Sequence, residues 1–471
     1  MKRASFTLAL ICGAQFVLQL DFSIVNVALP AIERELRFAP AELQWVVTGY
    51  ALTFGSLLLV GGRGADLLGR RALLELGLVL FALASLACGL AQSPLMLIVA
   101  RFVQGAAGAM VSPAALSLLT TLYREGPERT RALGLWQAAT AAGATTGIIA
   151  GGLLTQFVGW RAIFLVNPPL IAVMLVLVRR MLPAGRPEGS QRLDIPGAVL
   201  VTTSLGALIF GLSNGQQHGF GAPATIAAVA AAVVLGAGFI GIERRAAAPM
   251  LPFGIFAAPI RRAASAAMLL TGAIVAAYVY FISLYLQRVL GFSPVATGLS
   301  LVPATATVVL TTTFGTRRLL QRFGVKATLL AGLALTAAGQ FWFAHVSAGG
   351  SYVVNVLPGL VLTALGIGCV FPTASVAITS GVEQRDQGLA GGLFTTCQQV
   401  GAATGLAILA TVAAARTVHA RGSLATGYRV SFMIATGIAL VAAAIVARQL
   451  NAATRQSELA RQEQLGPDAA T

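Results

Sequence analysis

Gly134 to Gly152 reads GLWQAATAAGATTGIIAGG, an uncharged apolar run that carries Gly134, Gly143, Gly147, Gly151 and Gly152. Gly143, Gly147 and Gly151 are spaced by four, so on a helix they share one face and leave a strip of bare backbone. A neighbouring helix can approach such a strip closely. A generic small-residue packing face would account for that much. A second copy sharpens the reading: Gly392 to Gly405 reads GLFTTCQQVGAATG, against GLWQAATAAGATTG at Gly134 to Gly147. The Gly-Leu-aromatic opening and both glycine spacings coincide. Solenoid repeats return every few tens of residues, whereas this pattern returns once, more than half a chain later. Two related halves are how many membrane carriers are built.

Composition agrees with a membrane setting. The chain has 471 residues, 57% of them hydrophobic and 10% charged, with a mean hydropathy of +0.82. Soluble domains carry about 25% charged residues. The net charge of +16 would suit a nucleic-acid partner if it formed a basic domain, but the arginines sit in short loops and alternate in density from loop to loop. That is the positive-inside pattern, and it excludes nucleic acid as the partner; the lipid bilayer takes that place. Cys12, Cys88, Cys369 and Cys397 lie in apolar runs without metal-ligand spacing, so neither a disulfide nor a metal site is expected.

Apolar runs long enough to cross about 30 Å of hydrocarbon start with one that ends near Pro30, too long for a cleaved signal and therefore read as an uncleaved first span. Others follow at roughly 45–62, 72–91, 95–119, 131–155, 161–179, 195–213, 222–242, 264–287, 296–316, 326–345, 352–377, 388–413 and 428–448. The count is about fourteen. Alternate loops hold Arg63, Arg70 and Arg71; Arg124, Arg129 and Arg131; Arg179, Arg180, Arg186 and Arg192; Arg244, Arg245, Arg261 and Arg262; and Arg317, Arg318, Arg322 and Lys326. The intervening loops hold few bases, and Arg34 and Arg37 there are offset by Glu33, Glu35 and Glu42. An even count with both termini cytoplasmic follows. The glycine run is then span five and its copy span thirteen. The expected fold class is an all-α integral membrane protein of two six-helix halves, residues 1–180 and 263–449. An inserted two-helix hairpin with flanking loops occupies 181–262, and a polar cytoplasmic tail, disordered or fraying, 450–471.

Two charges fall deep inside spans. Asp21, in QLDFSIVNVALP, is the one acid well within an apolar run. A carboxylate at that depth costs about 2.5–3.5 kcal/mol on insertion scales, so it faces protein or water and has a use. Desolvation favours its neutral form and a nearby cation its charged form, the opposed influences a proton-loading group needs. A helix-pairing hydrogen-bonding role is the plainer alternative. Gln15, Gln19 and Asn26 lie on another face, Asp21 being about 160° round the helix from Gln19. Arg101, in LIVARFVQGAAGAMVSP, is the matching deep base; its face continues through Gln104, Gly105 and Gly108. It either snorkels to an interface or needs a carboxylate, and Asp21 is the one available. After span two, GGRGADLLGRR combines turn-permitting Gly62 and Gly69 with Asp66, Arg70 and Arg71, while Glu75 stands one turn after Arg71 as its ion-pair partner. RRLLQRFGVK, Arg317 to Lys326, is a weak second copy with Gln321 in place of the acid.

On these motifs the chain resembles the major facilitator superfamily, in particular its fourteen-span drug:proton antiporters, over nearly its whole length. Leu20-Asp21 through Asn26-Val27-Ala28-Leu29-Pro30 is similar to the span-one signature of that branch. Gly62, Ala65, Asp66, Gly69, Arg70 and Arg71 match the superfamily loop signature, with departures at Gly64 and Leu67 where Leu and Arg are usual. Arg101, Gln104 and Gly105 match the span-four signature, and Gly134, Gly143, Gly147, Gly151 and Gly152 the antiporter signature of span five, with Ile148 at its proline position. Gly159-Trp160-Arg161 with Phe164, Asn167 and Pro169, and Asp194-Ile195-Pro196-Gly197, are similar to the same branch. The resemblance implies proton coupling through Asp21 and Arg101, a conformational latch at the first cytoplasmic loop, and a multi-pass protein of the bacterial inner membrane.

No Walker-type phosphate loop, nucleophile–base set or metal cluster is evident, so neither an enzyme nor a cofactor is expected. His218, His345 and His419 fall near span ends. The function expected is efflux of small, largely apolar compounds, cations included, in exchange for protons, by a single chain. A dedicated exporter of one natural product, metabolite or lipid is the alternative within transport. A passive channel or a receptor-like sensor is the alternative outside it, and a channel would need a continuous polar lining. The residues expected around a substrate cavity are Gln15, Gln19, Asn26, Gln104, Trp136, Gln137, Tyr280, Phe281, Phe394 and Gln398.

Overall fold

Backbone amides in hydrocarbon find partners only within the chain, and a helix supplies them along one segment. The computed structural model describes residues 2–39, 42–123, 127–182, 195–245, 253–380, 387–419 and 423–464, and it is helical throughout, with no strand among those residues. The first group comprises α1 (Lys2–Leu36), α2 (Trp45–Leu68), α3 (Arg70–Gly89), α4 (Pro94–Leu122), α5 (Pro127–Phe157), the short α6 (Ala162–Leu165) and α7 (Asn167–Met181). A hairpin follows, α8 (Ile195–His218) and α9 (Pro223–Glu243). The last group is α10 (Pro259–Arg288), α11 (Pro294–Leu310), α12 (Thr316–Phe343), α13 (Leu357–Thr379), α14 (Gln387–His419) and α15 (Leu424–Gln464). Eleven helical segments are long and apolar enough to cross a bilayer. One of these, Pro294–Phe343, holds two crossings, and Trp45–Leu58 and Val199–Leu212 are shorter apolar helices, so the described residues are consistent with fourteen crossings.

Local chemistry sets the helix ends. Ser93 and Ser293 each precede a proline and cap the helix that follows, their hydroxyls accepting from Met96 N at 3.3 Å and Ala296 N at 3.2 Å. Gly69, at φ 87°, ends α2 and starts α3 in one residue. Gly324, at φ 74°, makes the corresponding break inside α12. The sequence places Arg317 to Lys326 in a loop, whereas these residues are helical on both sides of Gly324. Their Arg, Leu and Gln are good helix formers, and the reversal is left to the one glycine. The tail differs likewise: α15 continues to Gln464, carried by an Ala-, Gln-, Glu- and Arg-rich stretch of high helix propensity, and residues 465–471 lie outside the described set.

Each glycine helix lies on the first helix of its own group. A methyl added at Gly147 would sit 2.6 Å from the Leu20 carbonyl oxygen and 2.8 Å from Ser23 Oγ, and one at Gly151 would sit 2.6 Å from the Ile24 oxygen. Gly143 is pressed against the Phe16 oxygen in the same way, so successive turns of α5 meet successive turns of α1 as bare backbone. In the second group, Gly401 meets the Leu269 oxygen and Gly405 meets Ala273 of α10. The opposite faces of both glycine helices reach across to the other group. Gly152 would touch the Pro294 oxygen at 2.7 Å, and Gly298 of α11 the Ile148 oxygen at 2.7 Å. On the other side of the molecule Gly55 of α2 packs on Gln399 and Val400 of α14, and Thr396 Oγ1 donates to the Gly55 oxygen at 3.3 Å. α8 lies along this α2–α14 seam, with Thr202 Oγ1 donating to Ser56 Oγ at 2.9 Å and Ile209 buried among Ala51, Leu52, Ala403 and Ala407.

Polar contacts between the groups gather toward the ends of α1 and α10 that carry Leu36 and Arg288. Ser283 Oγ donates to the Asn26 oxygen at 2.7 Å, Gln287 Nε2 to the Val27 oxygen at 2.9 Å, and Val295 N to Gln156 Oε1 at 3.2 Å. Arg288 forms an ion pair with Glu33. Among the described residues, the polar contacts at this end are one charge pair, two backbone acceptors and one backbone donor.

The glycine contact can be tested by paired substitutions. Gly147→Leu forces α1 and α5 apart and is expected to lower the melting temperature of the purified protein, an overpacking cost of about 1–3 kcal/mol. Gly13→Leu, at a position on α1 with nothing within 4 Å of an added methyl, should leave the melting temperature near that of the parent. Equal melting of the two variants would show that the glycine face is not the close contact.

Candidate functional site

Asp21 lies on the side of α1 turned from α5, and four other elements of the first group close over it. From α4, Arg101 Nη1 donates to Asp21 Oδ2 at 2.7 Å, and Gln104 Nε2, three residues on and therefore on the same face, donates to Oδ1 at 2.8 Å. Asn167, the first residue of α7, is presented at depth because Pro168 and Pro169 fix a helix start there; its Nδ2 donates to Asp21 Oδ1 at 2.6 Å. From α3, Ser85 Oγ accepts from Gln104 Nε2 at 3.1 Å and Asn167 Nδ2 at 2.9 Å, and donates to the Phe164 oxygen at 3.0 Å. From α2, the Val46 oxygen accepts from Arg101 Nε at 2.8 Å. The Arg101 guanidinium carbon sits 4.4 Å from the Tyr50 ring centroid and 5.7 Å from that of Phe164, an arrangement worth more when desolvated. Asp21, Ser85, Arg101, Gln104 and Asn167 are all 0% exposed.

The carboxylate thus accepts three bonds, and the guanidinium reaches a carboxylate, an amide oxygen (Gln104 Oε1, 2.7 Å) and a backbone carbonyl. Such a pair survives in low dielectric only through these extra bonds. Two atoms of the network, Arg101 Nη2 and Asn167 Oδ1, have no hydrogen-bond partner. The ion pair therefore depends on the charge of Asp21, since a neutral carboxyl would keep hydrogen-bond acceptors and lose the attraction to Arg101.

The loop after α2 holds onto its own group. Arg70 Nη1 donates to Thr121 Oγ1 at the end of α4. Arg71 donates through Nε to Glu75 at 2.8 Å and through Nη1 to the Leu182 oxygen at 2.6 Å, while Arg179 approaches Glu75 at 3.4 Å. Gly62 leaves room toward Pro113, and Gly69 supplies the turn. The side chains of Asp66 and Gln137 and the packing around Gly134 lie outside the described residues, while the three backbones belong to α2 and α5.

The residues expected around one cavity are not gathered in one place. Gln104 belongs to the buried charge network. Tyr280 and Phe281 are buried in the second group, where Phe281 meets Tyr428 at a tilt, 5.4 Å between centroids, and Phe432 edge-on at 5.9 Å. The reason is general: large rings give the most apolar burial and are taken up by the core. Trp136 is buried within the first group's core. Gln15 accepts from Ser112 Oγ at 3.1 Å, binding α1 to α4, and Asn26 donates back to its own helix. Gln19 packs beside Gly143, Phe394 meets Phe371 edge-on at 6.3 Å, and the Gln398 backbone packs on Gly272. Ser85 as a partner of the charge network, and the Glu33–Arg288 pair, escape sequence reasoning. A serine in an apolar run is too cheap to stand out, and terminal charges read as solvated.

Comparison with known proteins follows the same lines. The Major Facilitator Superfamily profile matches residues 11–406. A cephamycin export protein from Amycolatopsis lactamdurans is 38% identical over 457 residues, covering 96% of this chain and 94% of its own. A puromycin resistance protein from Streptomyces alboniger is 35% identical over 452 residues, covering 93% and 90%. Among solved structures, the peptide-transporter-family protein PepTSo superposes with a TM-score of 0.72 at 15% identity, covering 96% of this chain and 98% of that one, a likeness of fold.

Removing one partner of the buried pair should be worse than removing both. Arg101→Ala leaves Asp21 ionised without its cation and is expected to cost about 3–5 kcal/mol, read as a fall in melting temperature. The double variant Asp21→Asn, Arg101→Gln should recover most of the loss. A single variant as stable as the parent would show that the pair does not hold these helices together.

Proposed function

The chain belongs to the major facilitator superfamily, and from that premise we propose that it exports small, largely apolar compounds from the cell in exchange for protons, with Asp21 as the proton carrier. The export reading is supported by relatives named for the export of, or resistance to, antibiotics. The observation that carries the proton step is the Asp21–Arg101 pair, two charges 2.7 Å apart and fully buried at mid-span. Buried charge in a bilayer is costly and is retained where it has a task.

Orientation comes from charge. Arg70, Arg71, Arg179, Arg180, Arg244, Arg245, Arg261 and Arg262 flank one set of helix ends, which we assign to the cytoplasm. The Glu33–Arg288 end is then external, and the described conformation is the one closed to the outside. α1 ties the two events together. It carries Asp21 at its middle and, one to three turns further on, the Asn26 and Val27 oxygens and Glu33 that hold α10. Protonation of Asp21 frees α1 from α4 and α7, so it biases the same helix that seals the exit. A proton can shift an equilibrium only through such a differential interaction. The bare faces of α5 and α14 let the halves turn against each other without side chains to unlock. The arginines of the loop after α2 hold their own half here, as expected for a latch engaged in the opposite state.

Asp21→Asn fixes the neutral form. Gradient-driven accumulation of substrate in inverted membrane vesicles is expected to fall to the level of vesicles lacking the protein, and drug-induced proton release from the purified protein to vanish. Proton release equal to the parent's would assign the carrier to another group. Substrate uptake sustained by ATP after the pH gradient is collapsed would overturn the exchange itself.

A further inference from the structure

Among the described residues, every charged side chain other than Asp21 and Arg101 belongs to a loop or lies toward an end of its crossing. Glu33 and Arg34 end α1, Arg70, Arg71 and Glu75 begin α3, Arg261 and Arg262 begin α10 and Arg288 ends it. Arg416 falls in the last turns of α14 and Arg429 in the first turns of α15. The two deep charges are committed to each other. Their partners, Val46, Gln104 and Asn167, and Ser85 that joins the two amides, all come from the first half, and no part of the pair is exposed. In the described conformation the whole assembly belongs to one half, and Asp21 is either paired with Arg101 or, once protonated, neutral.

Outside this network, the unpartnered buried polar groups at mid-span among the described residues are neutral. In the second half Thr271 Oγ1, Thr373 Oγ1 and Gln399 Oε1 are buried without hydrogen-bond partners. The position packed as Asp21 is, one residue beyond the α10 contact of the glycine helix at Ala273, is Ile274. The second half therefore adds dipoles and no charge to whatever passes between the two.

We propose that the cargo is uncharged, a lipophilic molecule met by amide and hydroxyl dipoles, and that each exchange is therefore electrogenic. This rests on the export reading above and deepens it. A permanent cation entering the cleft would lose its hydration with no carboxylate to replace it; a neutral molecule loses little. The charge balance follows directly. One neutral molecule moving out against one proton moving in transfers one positive charge inward per cycle, whereas a monovalent cation exchanged for one proton would transfer none. Membrane potential alone should then drive export.

Everted membrane vesicles containing the full chain test this, with pH equal on both faces and a lumen-positive potassium diffusion potential set by valinomycin. The probes are Nile red, which is neutral, and ethidium and tetraphenylphosphonium, which are permanent cations. Nile red accumulation should rise with potential, toward a limit of about fifty-fold for one charge at 100 mV, and the two cations should accumulate no more than in vesicles lacking the protein. Accumulation of either cation at a rate comparable to Nile red overturns the inference and leaves the export reading standing. So does Nile red uptake that follows a pH difference and ignores the potential. If no probe moves under either gradient, in vesicles whose respiratory proton pumping is intact, the export reading falls and this inference with it.

Discussion

The ion pair between Asp21 and Arg101 is the constraint around which the first half is arranged. Neither charge is tolerable alone in hydrocarbon, and their mutual attraction does not offset desolvation unless every remaining lone pair and proton is occupied. Here all but two polar atoms of the network, Arg101 Nη2 and Asn167 Oδ1, are so occupied, and the requirement reaches outward. It needs Gln104 one turn along α4, Asn167 at a proline-fixed helix start, Ser85 to join the two amides, and a carbonyl from α2. Five elements are held by one carboxylate. α1 is consequently gripped on one side and smooth on the other, where only the backbone of α5 meets it. A helix so placed can shift along the smooth side when the grip changes.

The two halves share their packing and differ in their charge. Gly143 and Gly147 sit on Phe16 and Leu20 as Gly401 and Gly405 sit on Leu269 and Ala273. Where the first half continues with Asp21, the second continues with Ile274, fully buried. The repeat preserves the moving contact, which depends on shape, and lets the chemistry diverge. The buried charge pair thus belongs to the first half, and the position matching Asp21 in the second is apolar.

Much of this was legible in the residues because the bilayer makes certain choices expensive. A lone acid and a lone base at depth announce each other, and glycines four apart announce a bare face; neither inference needs tertiary information. Helix existence follows from hydrocarbon thickness. The gaps have equally physical causes. Ser85 and Asn167 cost little to insert, so their places in the network leave hardly any trace in the pattern. Tyr280 and Phe281 look the same whether an aromatic side chain lines a cleft or fills a core, and here the core takes them. The helical stretch through Arg317 reads as loop because charge marks the membrane boundary and says nothing about backbone conformation. The hairpin's location on the α2–α14 seam is a matter of which surfaces meet, and hydropathy does not encode it.

That location has a consequence for the surrounding lipid. The molecule has two seams where its halves meet, α5 against α11 and α2 against α14, and in a protein of two plain halves the acyl chains would border both alike. Here α8 packs along α2 and α14, not along α5 and α11. The perimeter is therefore lopsided. A solute already dissolved in the bilayer meets a covered flank on one side and a bare one on the other, so sideways entry, wherever it occurs, has a preferred direction fixed by the inserted hairpin.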